Sequence, residues 1–258
     1  STGAAIYISD KYNDVTLTVI DSTFDANLVA DCGAVAIYGN NSKGVKYEIS
    51  GSEFTDNVAY NMDPEACCAG AAVYTEGVNA TGTISNSKFI GNIVDSTVFP
   101  NGGAVKIQFG GDATIEGCTF ENNSAALTGG AIDVQSMDGV DTFVTIDDCT
   151  FVNNTAGSAG GAIAVLQGSG NSYVSVLNSR FIENEAANVG GAIYAAVANG
   201  ASEVYVEGSN FTSNNAPEGG AIYALDDLDV KTSLFEANNA STGAAIYISD
   251  KYNDVTLT

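Results

Sequence analysis

Eight copies of one pattern, [D/N/G/T]-[S/C]-x-Phe-x-x-Asn, run the length of the 258-residue chain and decide what it can fold into. The phenylalanines are Phe24, Phe54, Phe89, Phe120, Phe151, Phe181, Phe211 and Phe235. The asparagines three residues later are Asn27, Asn57, Asn92, Asn123, Asn154, Asn184, Asn214 and Asn238. Successive phenylalanines are 30, 35, 31, 31, 30, 30 and 24 residues apart. A period of this size is the signature of a solenoid or another repeat architecture. A second motif follows each asparagine after a short link. It reads GGAI at Gly129–Ile132, Gly160–Ile163, Gly190–Ile193 and Gly219–Ile222, with variants at Gly3–Ile6, Gly70–Val73 and Gly102–Val105 and a degenerate form at Ala34–Ile37.

Between the motifs the apolar residues alternate. Five residues before each Phe stands Val19, Ile49, Ile84, Ile115, Ile146, Val176, Val206 or Val230. Two residues earlier stand Leu17, Tyr47, Ala113, Val144, Val174, Val204 and Leu228, with Gly82 the one exception. Period two indicates strands with one buried face, and no window shows a convincing period of 3.6. A 30-residue unit of short strands cannot bury that face alone. Coiling solves this: each rung supplies about three short strands, and each strand pairs in parallel with its equivalent in the next rung. The expected fold is an all-β parallel β-helix, a single continuous solenoid over residues 1–258. Its inward Ile, Val and Phe stack roughly 4.8 Å apart. The recurrent Asn is expected inside a corner, its amide bonded to backbone or to the next Asn. The Asn, Asp or Gly before each Ser/Cys suits a turn at positive φ.

The paired GGAI and FxxN motifs resemble the repeats of chlamydial polymorphic outer membrane proteins and of the adhesin-like surface proteins of methanogenic archaea. The resemblance covers the whole chain. It implies a right-handed parallel β-helix displayed extracellularly at a cell surface, often adhesive. The chain departs from the first group in having no autotransporter barrel, and its acidity leans toward the second.

The two ends repeat each other. Residues 241–258, STGAAIYISDKYNDVTLT, are identical to residues 1–18, an offset of 240 that eight rungs of 30 fill. No other pair of rungs is nearly so similar. Phe235 lies 29 residues before the Phe expected at 264, so the pattern continues in phase. The sequence therefore reads as one period of a tandem array plus the start of the next copy. Eight rungs advance roughly 38 Å. No capping segment is visible at either end, so each end is expected to meet more of the same protein, covalently or by stacking. The expected partner is the protein itself, end to end and in lateral contact.

Composition narrows the function. Thirty-one acids against eight bases give a net charge of −23. Such a surface repels nucleic acid and anionic lipid and attracts cations or basic partners. No apolar run approaches the roughly 20 residues of a membrane span, so no direct membrane insertion is expected. Histidine is absent and Arg180 is the sole arginine. Parallel β-helices also host polysaccharide lyases, which resemble one another in using calcium-bound acids with an Arg or Lys as proton acceptor, and hydrolases, which use clustered aspartates, commonly with a His. The longest links, near Tyr60–Cys68 and Ile93–Asn101, offer only Asp63, Glu65 and Asp95, and Asp226–Asp227 reads as a solvated turn. The expectation is a structural or adhesive fibre and no enzyme, with a specific glycan-binding adhesin as the alternative and a β-helix lyase or hydrolase behind it.

Three groups of residues can do more than build the coil. The residue after each GGAI isoleucine is expected to face outward, which makes Tyr7, Tyr38, Tyr74, Tyr194 and Tyr223 an exposed stripe for glycan or a neighbouring fibre, or simply a set of residues that suit a β surface. Cys118 and Cys149 replace the usual Ser on adjacent rungs, and Cys32 and Cys68 lie five residues before their Ile or Val. Each pair either closes a disulfide or sits as stacked thiols, with Cys67 left over. No CxxC or His ligand supports zinc. Glu116 and Asp147 both lie four residues before Phe, with Asp148 beside them. Stacked carboxylates repel unless a proton or cation intervenes, so this is a candidate calcium site; no other cofactor is expected. Sequons at Asn40, Asn79, Asn122, Asn153, Asn210 and Asn239 permit glycosylation in a secreted protein.

Overall fold

In a computed structural model the chain is a right-handed coil of parallel strands; the structure describes residues 5–30, 32–39, 43–60, 70–96, 100–196, 203–225 and 228–249, and among these there is no helix. Four parallel sheets run along the coil. The glycine sheet has nine strands, from Ile6–Ser9 to Ile246–Ile248, each opened by the second motif. The long sheet has eight, from Val15–Ile20 to Leu228–Lys231, and the phenylalanine sheet eight, from Thr23–Asp25 to Leu234–Glu236. A minor sheet of six two-residue strands runs from Leu28–Val29 to Glu185–Ala186. Six rungs thus carry four strands where the pattern predicts about three. The added strand follows the Asn corner and buries a single side chain, such as Val29, Ala59 or Ala125, too short a run to display alternation.

Register follows the motifs. Phe24 pairs Phe54, Phe54 pairs Phe89, and so on to Phe211 with Phe235. The eight rings stack face to face with centroids 4.6–4.9 Å apart and planes within 6°. Rung spacing imposes this arrangement, because ladder hydrogen bonding holds equivalent Cα atoms near 4.8 Å and a planar ring is the bulky side chain that fits that gap.

The corners are held by side chains. Each Asn of the motif donates its backbone N–H and its Nδ2–H to the Oδ1 of the Asn one rung ahead, with Nδ2···Oδ1 distances of 2.8–3.0 Å over seven steps. From Asn57 onward, Nδ2 also donates to the carbonyl of the Phe one rung behind, as from Asn57 to Phe24 at 2.9 Å. A parallel Ser/Cys ladder holds the preceding corner: the N–H of Ser52 donates to Ser87 Oγ, and that hydroxyl donates to the Ser85 carbonyl. The residue before each Ser/Cys and the residue before each Asn take positive φ in all eight rungs, from Asp21 and Ala26 to Thr232 and Ala237.

Gly82 breaks the apolar pattern because its neighbour fills its place. It is the register partner of Tyr47, and a Cβ at Gly82 would lie 2.4 Å from that ring. The Tyr47 ring occupies the vacated core, and its Oη donates to the Asp112 carbonyl at 3.3 Å. Burial pushes this phenol far above its ordinary range.

Two expectations test this packing. Phe120→Ala, which empties one step of the ring stack, should lower unfolding free energy by about 3–5 kcal/mol in urea titration; an unchanged midpoint contradicts the inward stack. Gly82→Ala forces overpacking against Tyr47 and should cost about 1–3 kcal/mol, read as a lower thermal midpoint.

Candidate functional site

Inside the coil the Phe and Asn ladders are buried and mutually satisfied, so function must be sought on the outer faces. On the glycine sheet the outward column after the second motif reads Tyr7, Ala36, Tyr74, Lys106, Asp133, Ala164, Tyr194, Tyr223, Tyr247. Two expectations are corrected. Val35, not Ile37, pairs Ile6 and Val73, so the degenerate motif is Cys32–Val35 and Tyr38 sits one outward position further along, beside Ser9 and Glu76. An AVAI tetrapeptide carries its own alternation, so the sequence pattern fits either frame. Cys32 accordingly takes the place of Gly70, not of Cys68; Cys67 and Cys68 lie outside the described residues.

The exposed stripe also divides. Tyr74 is fully buried and Tyr38 half-buried, with rings 5.4 Å apart; Tyr7 is exposed and lies 5.2 Å from Tyr38. Cys32, Ala36 and Tyr74 form a small apolar cluster on this outer face. Tyr194, Tyr223 and Tyr247 remain half-exposed, with ring separations of 5.8 and 5.1 Å.

Beside Tyr74 the covered face is polar. Tyr74 Oη donates to Glu76 and accepts from Gln108 Nε2. Lys106 Nζ pairs with Asp133 Oδ1 at 3.1 Å, both side chains at most 1% exposed, and Thr128 Oγ1 donates to Asp133 Oδ2 at 2.8 Å. A buried charge survives only when paired and hydrogen-bonded, and this pair has both. Sequence reasoning missed it because the column was taken to face water.

Cys32 is disulfide-bonded, and its Sγ lies 2.8 Å from Tyr38 Oη. Cys118 and Cys149 are buried free thiols, stacked so that the Cys118 N–H donates to Cys149 Sγ at 3.4 Å. Each thiol donates to a carbonyl two residues back, copying serine. The hydrogen bond with Cys118 and burial push the Cys149 thiol up. Both should resist iodoacetamide in the folded protein and react only in denaturant, as peptide mass mapping would show; labelling under native conditions contradicts the assignment.

Glu116 and Asp147 are register partners, with Asp148 at the next corner. Asp147 Oδ1 accepts from Asn178 Nδ2 at 2.9 Å, and no three metal-ligating side chains converge among the described residues.

The long sheet carries the open face. One outward column runs Thr16, Lys46, Thr81, Asp112, Phe143, Tyr173, Glu203, and the next Thr18, Glu48, Thr83, Thr114, Thr145, Ser175, Tyr205, Asp229. Phe143, 52% exposed, stacks on Tyr173 with centroids 4.9 Å apart and planes 9° apart. Next to them a shallow groove of about 300 Å³ is lined by Thr81, Gly82, Asp112, Ala113, Thr114, Phe143 and Thr145. Desolvation pushes the Asp112 carboxyl up, and its Oδ1 accepts from the Phe143 N–H at 3.0 Å. Further along, the Lys231 ammonium lies 4.8 Å from the Tyr205 ring centroid and 3.9 Å from Asp229. The outward phase of Phe143 and Tyr173 was available in the sequence as the odd positions of the Val144 and Val174 alternation.

Among known proteins, the family model described as a right handed beta helix region matches residues 4–211. No curated protein and no solved structure matches the chain.

Proposed function

The chain belongs to the right-handed β-helix family, and on that premise we propose that it is a segment of a repetitive extracellular fibre or sheath, structural or adhesive, extended by further copies of itself. One observation carries the reading. Ile246, Tyr247 and Ile248 lie on the coil as a strand paired with Ile222, Tyr223 and Ala224, 240 residues after Ile6, Tyr7 and Ile8, which open the same sheet. The inward Ile246 and Ile248 are only part-buried, as are Phe235 and Val230 beneath them and Ile6, Ile8 and Leu17 at the opposite end. Further copies in phase would stack on both sets at the spacing already present inside the coil.

Several further features agree. The disulfide at Cys32 suits an oxidising compartment. The charge of −23 favours solubility of a long surface polymer. A non-enzymatic role is supported by the absence of histidine and by the position of Arg180, exposed between Thr150 and Asn210 and without an ion pair among the described residues. Near-identical tandem copies serve a mechanical element, or many weak adhesive contacts acting together.

Joining residues 1–240 in tandem, two copies followed by 1–18, tests this. Electron microscopy and small-angle scattering should show one straight rod of unchanged cross-section, roughly 38 Å longer than the single-copy chain. Two rods joined at a flexible bend would refute the continuous fibre.

A further inference from the structure

We infer that the groove between the Phe143 ring and the Asp112 carboxylate binds the protonated amine of an amino-sugar unit in a glycan. The assignment stands on the groove alone and does not depend on the fibre reading.

At one end of the long sheet, an outward aromatic ring and a carboxylate on the same face hold a cation of the chain's own: Lys231 lies over Tyr205 and beside Asp229. Three rungs back, Phe143 and Asp112 are adjacent in one outward column, and no described cation accompanies them. A π face and a carboxylate both attract a positive group and reinforce one another. Asp112 Oδ1 is engaged by the Phe143 N–H, which anchors the carboxylate, and Oδ2 has no described donor. Tyr173 stacks behind Phe143 and stiffens the ring in its outward position.

The floor selects what carries the cation. Thr81, Thr114 and Thr145 line it, and among the described residues nothing bonds their hydroxyls. They present donors and acceptors at successive rungs, which suits the hydroxyl groups of a pyranose ring, while the exposed half of Phe143 suits its C–H face. A lysine side chain would use the ring and the carboxylate but leave the threonines idle. The strongly negative chain excludes uronic acids and sulfated sugars on charge. The face is open along the coil, so an extended polymer can lie on it.

Calorimetric titration of the 258-residue chain with the glucosamine tetramer, the N-acetylglucosamine tetramer and tetralysine tests the assignment. The glucosamine tetramer should bind and its acetylated counterpart should not. Phe143→Ala and Asp112→Asn should each weaken binding at least ten-fold, while Phe143→Tyr and the remote Glu53→Gln leave it unchanged. All three positions are outward, and thermal melts matching the parent confirm folding. The proposal is overturned if the glucosamine tetramer does not bind, or if it binds Phe143→Ala as it binds the parent. It is also overturned if tetralysine alone binds and responds to those two substitutions, which would make the groove a receptor for basic peptides.

Discussion

The asparagine ladder is the interaction on which this coil depends. At each corner the backbone leaves one sheet for another, and the N–H of the motif Asn finds a side-chain acceptor where its neighbours on either side bond to backbone carbonyls. The motif Asn supplies a side chain that reaches both neighbouring rungs, accepting two hydrogen bonds from behind at Oδ1 and donating from Nδ2 to the Asn ahead and the Phe carbonyl behind. Asp lacks the donor and Gln is a methylene too long for the corner. Because each Asn bonds only to its two neighbouring rungs, the device works at any length, and the Phe rings stack above one another as a consequence of the same register.

That division of labour explains where variation is tolerated. The spacing between phenylalanines ranges from 24 to 35 residues, yet register is kept at every Phe and Asn. The differences fall in the links before and after the glycine-sheet strands, outside both motifs. Cysteine can replace serine at the second corner because a thiol donates to the same carbonyl and accepts from the same N–H.

Much of this was legible in the sequence because an in-register parallel coil places equivalent residues on top of one another. Phe24 to Phe235, Asn27 to Asn238 and the left-handed corners all follow from a period and a motif. What escaped was whatever depends on neighbours across rungs rather than along the chain. The Tyr47–Gly82 exchange is visible only once the two are stacked. The two frames of the Ala34–Ile37 stretch differ by one alternation, and register alone chose Cys32–Val35. Tyr74 was read as exposed because alternation reports which side of a sheet a residue faces, not whether that side meets water; the outer face there instead holds a buried ion pair, Lys106 with Asp133. Phe143 and Tyr173, the aromatic pair on the open face, lacked a motif to draw the eye.

A coil whose register is carried by one buried amide per rung makes an unusual demand on solvent exchange. The side-chain amides of Asn57, Asn92, Asn123, Asn154, Asn184 and Asn214 are wholly buried, whereas those of Asn188 and Asn210 are exposed. Hydrogen exchange of the side-chain amide protons, followed by NMR after transfer to deuterated water, reads this directly. The account predicts that the six interior amides persist long after the exposed ones have exchanged. Exchange of the six at the rate of Asn188 and Asn210 would mean that no such ladder exists in solution, and the stacked coil built on it would have to be abandoned.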